Sequence, residues 1–296
     1  MSKYRAAIFM YIKAWLKLTR IEHSFMLAIA VITAEILSGG IPLNILLLSL
    51  IAPWLISMGA FAINDYYDVG ADRANRRFDR PLVSGKIKAK SAFNASLLFF
   101  AVGIAFSAFN AYTLSIAFIF AFLSFLYSYK LKDALLIGNI YIAFTMVIPF
   151  IYGALINSNY INLNIIVISL FVFLAGLARE IHGMIRDYKG DKKARSTKNL
   201  VDYIGTYNAS IVAAVLYVEA VLLSLYLFFF LAPYLMNIVY IAPIIIIDII
   251  LLYVSMIYFK KNTERKRLLK ARNLSLGAML LALIILFFSS FIIINL

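Results

Sequence analysis

The sequence predicts an all-α, polytopic membrane protein in which nine transmembrane helices form a bundle. Hydrophobic residues make up 64% of the 296 residues and charged residues only 14%, and the mean hydropathy is +0.92. Soluble globular domains are less apolar and more charged, so this composition excludes that class. The chain contains no cysteine, which excludes disulfides, thiolate metal sites and cysteine nucleophiles.

Nine apolar runs are long enough to be membrane spans. No low-complexity linker separates them, so we predict one integral membrane domain over residues 1–296. Residues 1–20 carry five Lys and Arg residues among apolar ones, and we predict that they form an amphipathic segment at the membrane interface. The predicted spans are 22–38, 43–63, 91–109, 112–128, 135–156, 161–178, 209–231, 238–259 and 274–295.

The distribution of Lys and Arg predicts the orientation of these spans. If the N-terminus is cytoplasmic, the connections that face outside are 39–42, 110–111, 157–160 and 232–237, and none of them contains Lys or Arg. All 28 basic residues fall in the N-terminal segment and in the cytoplasmic connections. We therefore predict a cytoplasmic N-terminus and an external C-terminus. The basic residues behind the net charge of +14 are then expected to set the topology and to contact anionic lipid headgroups and phosphate, not nucleic acid.

Four oxygen-bearing side chains stand together directly after the second span: Asn64, Asp65, Asp68 and Asp72. If the helix continues, a rotation of about 100° per residue places them at about 0°, 100°, 40° and 80°, on one face. Carboxylates crowded in this way repel one another unless a cation lies between them. Hard oxygen ligands suit Mg²⁺, which completes its shell with water and substrate phosphate. The alternative is a solvated acidic loop.

A second acidic cluster follows the sixth span. On a helix, Glu180, Asp187 and Asp191 fall within about 40° of one another. Both clusters lie in predicted cytoplasmic connections, 64–90 and 179–208, which also contain Arg and Lys. Two acidic faces at the ends of spans, each with basic neighbours, describe a site for a magnesium–diphosphate, in which metal ions bridge carboxylates to phosphate oxygens.

These motifs resemble those of the UbiA-type intramembrane prenyltransferases. Residues 64–72, NDYYDVGAD, and residues 80–87, RPLVSGKI, resemble the first motif of that family. Residues 187–191, DYKGD, resemble its second DxxxD motif. The spacing of the motifs and the apolar spans extends the resemblance over essentially the whole chain. The resemblance implies Mg²⁺-dependent prenyl transfer from a prenyl diphosphate donor within the membrane.

The resemblance also implies roles for individual residues. The residues expected to hold Mg²⁺ and diphosphate, and to be catalytic, are Asn64, Asp68, Asp72, Asp187 and Asp191. The residues expected to bind substrate are Asp65, Arg80, Lys130, Lys132, Asn139, Arg179 and Glu180. Lys130 and Lys132 are alternatives for one position near the diphosphate.

The residues beside the second motif predict the acceptor. Arg179-Glu180-Ile181 before DYKGD resembles the archaeal members of the family that attach a second geranylgeranyl chain to geranylgeranylglyceryl phosphate. Seven Lys and Arg residues between 179 and 198 provide more positive charge than one diphosphate needs, although the positive-inside rule alone also accounts for them. The predicted reaction is transfer of a geranylgeranyl group to the hydroxyl of that lipid, in archaeal ether-lipid synthesis.

Two alternatives stay open at this point. Residues 20–23, RIEH, give some support to prenylation of an aromatic acceptor in quinone biosynthesis. A cation-coupled membrane transporter, from a different functional class, could use intramembrane acids as a cation pathway, but it would not require two Asp-rich motifs at the cytoplasmic ends of spans. The predicted partners are therefore a prenyl diphosphate, a lipid or aromatic acceptor, and membrane lipids.

Overall fold

The structure is a computed structural model that describes residues 2–40, 42–74, 76–133, 136–194, 199–260 and 263–291. Helices are the only regular secondary structure in these ranges, which confirms the all-α prediction. A short 3₁₀ helix, Leu131–Asp133, follows α6. The α-helices are α1 Ser2–Thr19, α2 Ile21–Leu37, α3 Leu43–Ser49, α4 Ile51–Ala74, α5 Ala89–Phe106, α6 Ala111–Tyr129, α7 Ile137–Asn157, α8 Leu163–Ala194, α9 Leu200–Phe230, α10 Ile238–Phe259 and α11 Arg265–Ser290.

In the described part of the chain, eight helical segments are long and apolar enough to cross a membrane. One is formed by α3 and α4 together, from Leu43 to Ala74, and the other seven lie in α5 to α11. The first of the nine predicted spans corresponds to α2, which at 17 residues is shorter than the eight. The chain is an integral membrane protein with a helical bundle, and the difference between nine and eight concerns α2 alone.

Both acidic motifs lie on helices and not in the predicted connecting loops. α4 continues beyond Ile63 to Ala74, and α8 continues beyond Ala178 to Ala194. The predicted spans ended where the apolar runs end, but hydropathy marks the membrane boundary, whereas a helix ends where capping and turn residues occur. The polar ends of these two helices therefore extend past the apolar runs 43–63 and 161–178 and present the motif side chains at helical spacing.

The first compact unit comprises residues 1–28 and 41–131. Its helices α4 and α5 cross closely at two glycines. A Cβ added to Gly59 of α4 would lie 2.8 Å from the Phe100 ring, and a Cβ added to Gly103 of α5 would lie 2.8 Å from the Ile56 side chain. Small residues let helix backbones approach closely within a membrane. This crossing fixes α4, the helix that carries the first acidic motif.

A separate apolar cluster anchors the loop that follows α4. Leu82 and Ile87 are 6% and 2% exposed and belong to one buried cluster with Ala62 of α4. Gly85 has a φ of +71°, which glycine adopts without a steric penalty from a Cβ. The two apolar anchors and the turn between them hold Arg80 in place beside α4.

The second compact unit comprises residues 29–40 and 132–296. In it α8 packs against α7 and α9, and α10 packs against α9 and α11. Gly205, with a φ of +78°, interrupts α9 near its start, close to the predicted beginning of that span at residue 209. Asp248, buried in α10, accepts a hydrogen bond of 2.7 Å from Ser224 of α9, so this intramembrane acid has a polar partner inside the unit.

The prediction of one domain over residues 1–296 stays a prediction, because the division into two compact units concerns internal contacts only.

Gly153 and Gly277 form a matched pair that tests the helix packing. A Cβ added to Gly153 of α7 would press on the backbone of Val31 in α2, whereas nothing lies within 4 Å at Gly277 of α11. Gly153→Ala is expected to destabilise the protein by about 1–3 kcal/mol through overpacking. Gly277→Ala is expected to stabilise it by about 0.5–1 kcal/mol, because alanine favours the helix. Thermal unfolding in detergent measures both, and equal melting temperatures would contradict the close approach of α7 and α2.

Candidate active site

The first acidic motif places its carboxylates among arginine side chains. Asp65 is 3% exposed and contacts the guanidinium groups of Arg20, at 3.1 Å, and Arg80. Asp72 lies 3.3 Å from Arg77 and 3.7 Å from Arg80. Arg80 therefore bridges two carboxylates that stand about two helical turns apart on α4. Buried carboxylates are costly unless they are paired, and the arginines supply that pairing.

The pKa values of the two innermost arginines reflect this environment. Burial opposes the charge on Arg80, but the attraction and hydrogen bond of Asp65, with the charge of Asp72, outweigh it, so the pKa of Arg80 is raised. Burial lowers the pKa of Arg20, and the attraction of Asp65 offsets this only in part because Arg80 repels it. Both guanidinium groups stay charged at neutral pH, because the ordinary arginine pKa is so high. The motif thus carries fixed positive charge beside its acids.

Arg20 was not assigned to the site from the sequence. It lies between α1 and α2 with a φ of +48°, and its guanidinium carbon stands 4.5 Å from the centre of the Phe61 ring. A cation over an aromatic face gains attraction, more so where water is excluded. Its carboxylate partner Asp65 is 45 residues away in the chain. In the sequence, this position was marked by the boundary between the interfacial segment and the first span, and by residues 20–23, RIEH, which supported the aromatic-acceptor alternative.

The remaining oxygen-bearing side chains of the first motif are Asn64 and Asp68. Both are half-buried on α4. They stand about one helical turn apart, on a face adjacent to that of Asp65 and Asp72. Since neither side chain is fully enclosed, a cation or a phosphate can reach their oxygens.

The second acidic motif carries charge pairs along the last turns of α8. Two guanidinium nitrogens of Arg186 donate to the Asp187 carboxylate, at 3.0 and 2.5 Å. Arg179 lies 3.1 Å from Glu180, and the Asn139 side chain of α7 lies close enough to the same carboxylate to stabilise its charge. The structure therefore brings together Asn139, Arg179 and Glu180, three of the residues expected to bind substrate.

A cavity of about 110 Å³ lies along α8, and its lining includes Arg179, Glu180 and Arg186 of these pairs. Its arginines come from two helices, Arg179 and Arg186 from α8 and Arg272 from α11. His182 is 3% exposed, and its ring stacks on Tyr258 of α10 with 3.8 Å between the ring centres. Arg272 and Tyr258 were not assigned to any site from the sequence, because helical spacing does not tell which neighbouring helix a residue faces.

Three further predicted residues lie outside these groups. Lys130 is exposed at the end of α6, and Lys132 is half-buried in the 3₁₀ helix. Asp191 belongs to α8, but its side chain lies outside the described part of the structure. The roles expected for these residues stay predictions.

Among the residues that the structure describes, no three Asp, Glu or His side chains converge to form a metal site. The oxygen ligands on α4 and α8 nevertheless fit the way enzymes usually bind Mg²⁺, through one or two carboxylates, with water and substrate phosphate completing the shell. The chemistry of these side chains suits a metal that arrives with a phosphate better than one enclosed by protein alone. The metal-ligand assignment stays a prediction.

Comparison with known proteins places this architecture among membrane prenyltransferases. The profile of the UbiA prenyltransferase family matches residues 25–277. A digeranylgeranylglyceryl phosphate synthase from Archaeoglobus fulgidus is 34% identical over 288 residues, which cover 95% of this chain and 96% of that protein.

Solved structures show the same architecture. A structure of digeranylgeranylglyceryl phosphate synthase is similar with a TM-score of 0.75 and 28% identity, covering 95% of this chain and 98% of the other. A UbiA homologue from Archaeoglobus fulgidus bound to GPP and Mg²⁺ has a TM-score of 0.61 and 22% identity, covering 93% of this chain and 99% of its own. At that identity, the second likeness concerns the fold alone.

Asp65 and Asp79 provide a matched test of the buried charge network. Asp79 pairs with Lys17 at 3.2 Å, but both side chains are at least half exposed. Asp65→Asn removes the negative charge that pairs with the guanidinium groups of Arg20 and Arg80. It is therefore expected to lower the free energy of unfolding by about 2–3 kcal/mol. Asp79→Asn is expected to change it by less than about 0.5 kcal/mol. Thermal unfolding in detergent compares them, and equal losses would show that burial of the network does not matter for stability.

Proposed function

The chain belongs to the UbiA prenyltransferase family, and we propose that it transfers a geranylgeranyl group from its diphosphate to the hydroxyl of geranylgeranylglyceryl phosphate. The observation that carries this proposal is the 34% identity to the Archaeoglobus fulgidus digeranylgeranylglyceryl phosphate synthase, which extends over 95% of the chain. The product is a diether lipid phosphate of the archaeal type. Membership of an enzyme family removes the support for the transporter alternative. Prenylation of an aromatic acceptor is the alternative that the product analysis below tests.

The oxygen ligands of both motifs are proposed to serve the donor. In this proposal Asn64, Asp68 and Asp72 on α4 and Asp187 and Asp191 on α8 hold Mg²⁺, which would neutralise charge on the leaving diphosphate. Support comes from the UbiA homologue whose solved structure contains GPP and Mg²⁺. A carboxylate has lone pairs enough to accept from an arginine and to bind a cation as well, so the observed ion pairs are compatible with this role.

Arg80 and Arg20 are proposed to stabilise the diphosphate as it leaves. Asp65 holds both guanidinium groups, and its own carboxylate is almost fully buried. A cation that is held in place before the reaction stabilises developing negative charge without reorganising at that moment. Asp65 would then serve the reaction by positioning two arginines, and Arg80 would be the more important of them, because it also contacts Asp72.

Ether formation requires that the acceptor hydroxyl, and not water, reaches C1 of the donor. The bond between C1 and the diphosphate oxygen breaks with its electron pair leaving on the diphosphate, while the hydroxyl oxygen bonds to C1 and gives up its proton. Positive charge develops on C1, and a water-excluding site protects it. Beside the first motif, Tyr66 packs on Phe93 and Tyr67 packs on Tyr129, and aromatic faces of this kind attract cations.

The proposed orientation places the N-terminus and the motif-bearing helix ends on the cytoplasmic side and the C-terminus outside. The absence of cysteine makes it directly testable. A membrane-impermeant maleimide added to intact cells is expected to label Asn157→Cys, because residues 157–160 lack positive charge. Lys266→Cys is expected to be labelled only after permeabilisation. Labelling of Lys266→Cys in intact cells would reverse the orientation.

Turnover by purified protein tests the proposed metal ligands. Asp68→Ala and Asp187→Ala are each expected to lower turnover by at least about 100-fold, because each removes charge that stabilises the leaving group complex. Glu264→Ala is the control, since this acid precedes α11 and makes no side-chain cap to it. Near-normal activity of both motif variants in excess EDTA would contradict the magnesium assignment.

Mass spectrometry of the product tests the acceptor. Purified protein is supplied with geranylgeranyl diphosphate, Mg²⁺, geranylgeranylglyceryl phosphate and an aromatic acid in competition. The expected product is the diether lipid phosphate. A prenylated aromatic with no diether formed would overturn the acceptor and leave family membership intact.

A further inference from the structure

The cavity beside α8 gathers more positive charge than the carboxylates next to it neutralise. Three arginines line it, Arg179, Arg186 and Arg272. Glu180 compensates the first and Asp187 the second, through ion pairs of 3.1 and 2.5 Å. Arg272 makes no ion pair within 4.0 Å with any side chain that the structure describes. Asp187 and Glu180 attract it from farther away, and the other two arginines repel it. The described part of the cavity is therefore a site of surplus positive charge.

Buried polar atoms without partners also converge on this cavity. Both ring nitrogens of His182 and the Nε of Arg179 are buried and have no hydrogen-bond partner in the structure described. His182 cannot turn outwards easily, because its ring is stacked on Tyr258. Buried donors without protein partners are destabilising, and native proteins rarely keep them unless ordered water, an ion or a ligand pairs with them. Surplus positive charge and buried hydrogen-bond donors together favour the binding of an anion.

The lining of the cavity and its position on α8 indicate that the bound anion is a phosphate group. The lining is polar, with three arginines, Glu180 and His182 among it, so the cavity suits a phosphate group and not a prenyl tail. Along α8, Arg179 and Arg186 point within about 20° of each other, whereas Asp187 points about 100° away from Arg186. The cavity and the second acidic motif thus occupy neighbouring faces of one helix. The Arg186 side chain joins them, because it lines the cavity and also donates to Asp187.

We propose that this cavity binds the phosphate monoester of the glycerol phosphate acceptor. The inference rests on the proposed function and adds to it the site that recognises the acceptor. Arg272 and Arg186 bind the phosphate oxygens, and His182 donates a hydrogen bond from its ring. The glycerol backbone is only three carbons long, so a phosphate held here keeps the attacking hydroxyl close to a donor bound at Asp187. A monoester, with two negative charges and three terminal oxygens, is attracted to the cavity arginines more strongly than a phosphodiester, which has one charge and two such oxygens.

Equilibrium binding without donor tests the site separately from turnover. The probe is a dialkylglycerol phosphate monoester in mixed micelles, titrated into purified wild-type protein in the absence of Mg²⁺. Arg272→Gln removes one cavity charge at an exposed position of α11, and is expected to weaken binding of the monoester about 10- to 100-fold. Arg272→Lys is expected to restore part of the affinity. Arg267→Gln removes the same charge from an exposed position of the same helix outside the cavity, and is expected to leave binding unchanged.

A second titration distinguishes the two sources of a lipid phosphate. A dialkyl phosphodiester lipid in the same micelles is expected to bind more weakly than the monoester, and equally in wild type and Arg272→Gln. If the phosphodiester binds as well as the monoester and responds equally to Arg272→Gln, the cavity holds membrane lipid headgroups and the proposal is overturned. Unchanged monoester binding in Arg272→Gln also overturns it.

Steady-state kinetics can show whether the cavity assignment fails while the proposed function holds. In Arg272→Gln the KM for geranylgeranylglyceryl phosphate is expected to rise about 10- to 100-fold, with the donor KM unchanged. If wild-type protein forms the diether but the acceptor KM of Arg272→Gln is unchanged, the cavity assignment fails and the function stands. If wild-type protein prenylates only aromatic acceptors, the proposed function itself fails.

Discussion

The pairing of carboxylates with arginines at the ends of membrane helices is the interaction on which the rest of this site depends. In the first unit, Asp65 forms ion pairs with Arg20 and Arg80. In the second unit, two guanidinium nitrogens of Arg186 donate hydrogen bonds to Asp187. An unpaired positive or negative side chain has a high desolvation free energy when it is buried away from water. The pairing therefore determines where the loop after α4 lies, since Arg80 must reach the carboxylates of α4.

In the proposed function, these pairs would also hold a place for highly charged substrates. Arginine brings several donors in a fixed plane and keeps its charge at any physiological pH, so a phosphate meets cations that are already oriented. The acids beside the arginines prevent the free protein from carrying an uncompensated cluster of positive charge. In the proposed function, arginines that pair with carboxylates in the free protein would stabilise the leaving group once phosphate is bound.

The sequence was informative about the parts of the fold that depend on local pattern. Apolar length predicted the helical membrane architecture. The orientation drawn from Lys and Arg, and the metal-binding faces drawn from the spacing of the acids on α4 and α8, stay predictions. The predicted spans end at residues 63 and 178, before α4 and α8 end, because hydropathy reports the membrane boundary and not the end of a helix.

Contacts between distant parts of the chain were not predictable from the sequence. Arg20 meets Asp65 through the way α1 and α4 pack, and neither residue carries a local signal of the other. The cavity on α8 likewise depends on which faces α10 and α11 turn towards it, which places Tyr258 and Arg272 beside His182. Such contacts follow from side-chain packing between helices, and one sequence read alone specifies helical faces without specifying their neighbours.

The most direct test of this account is equilibrium binding of an unreactive donor, geranylgeranyl thiolodiphosphate, to the wild-type protein and to Arg80→Gln, each with and without Mg²⁺. If arginine-held carboxylates receive a magnesium–diphosphate, removal of Mg²⁺ and loss of the Arg80 charge each weaken binding at least about tenfold. Equal affinity in all four measurements would contradict the account.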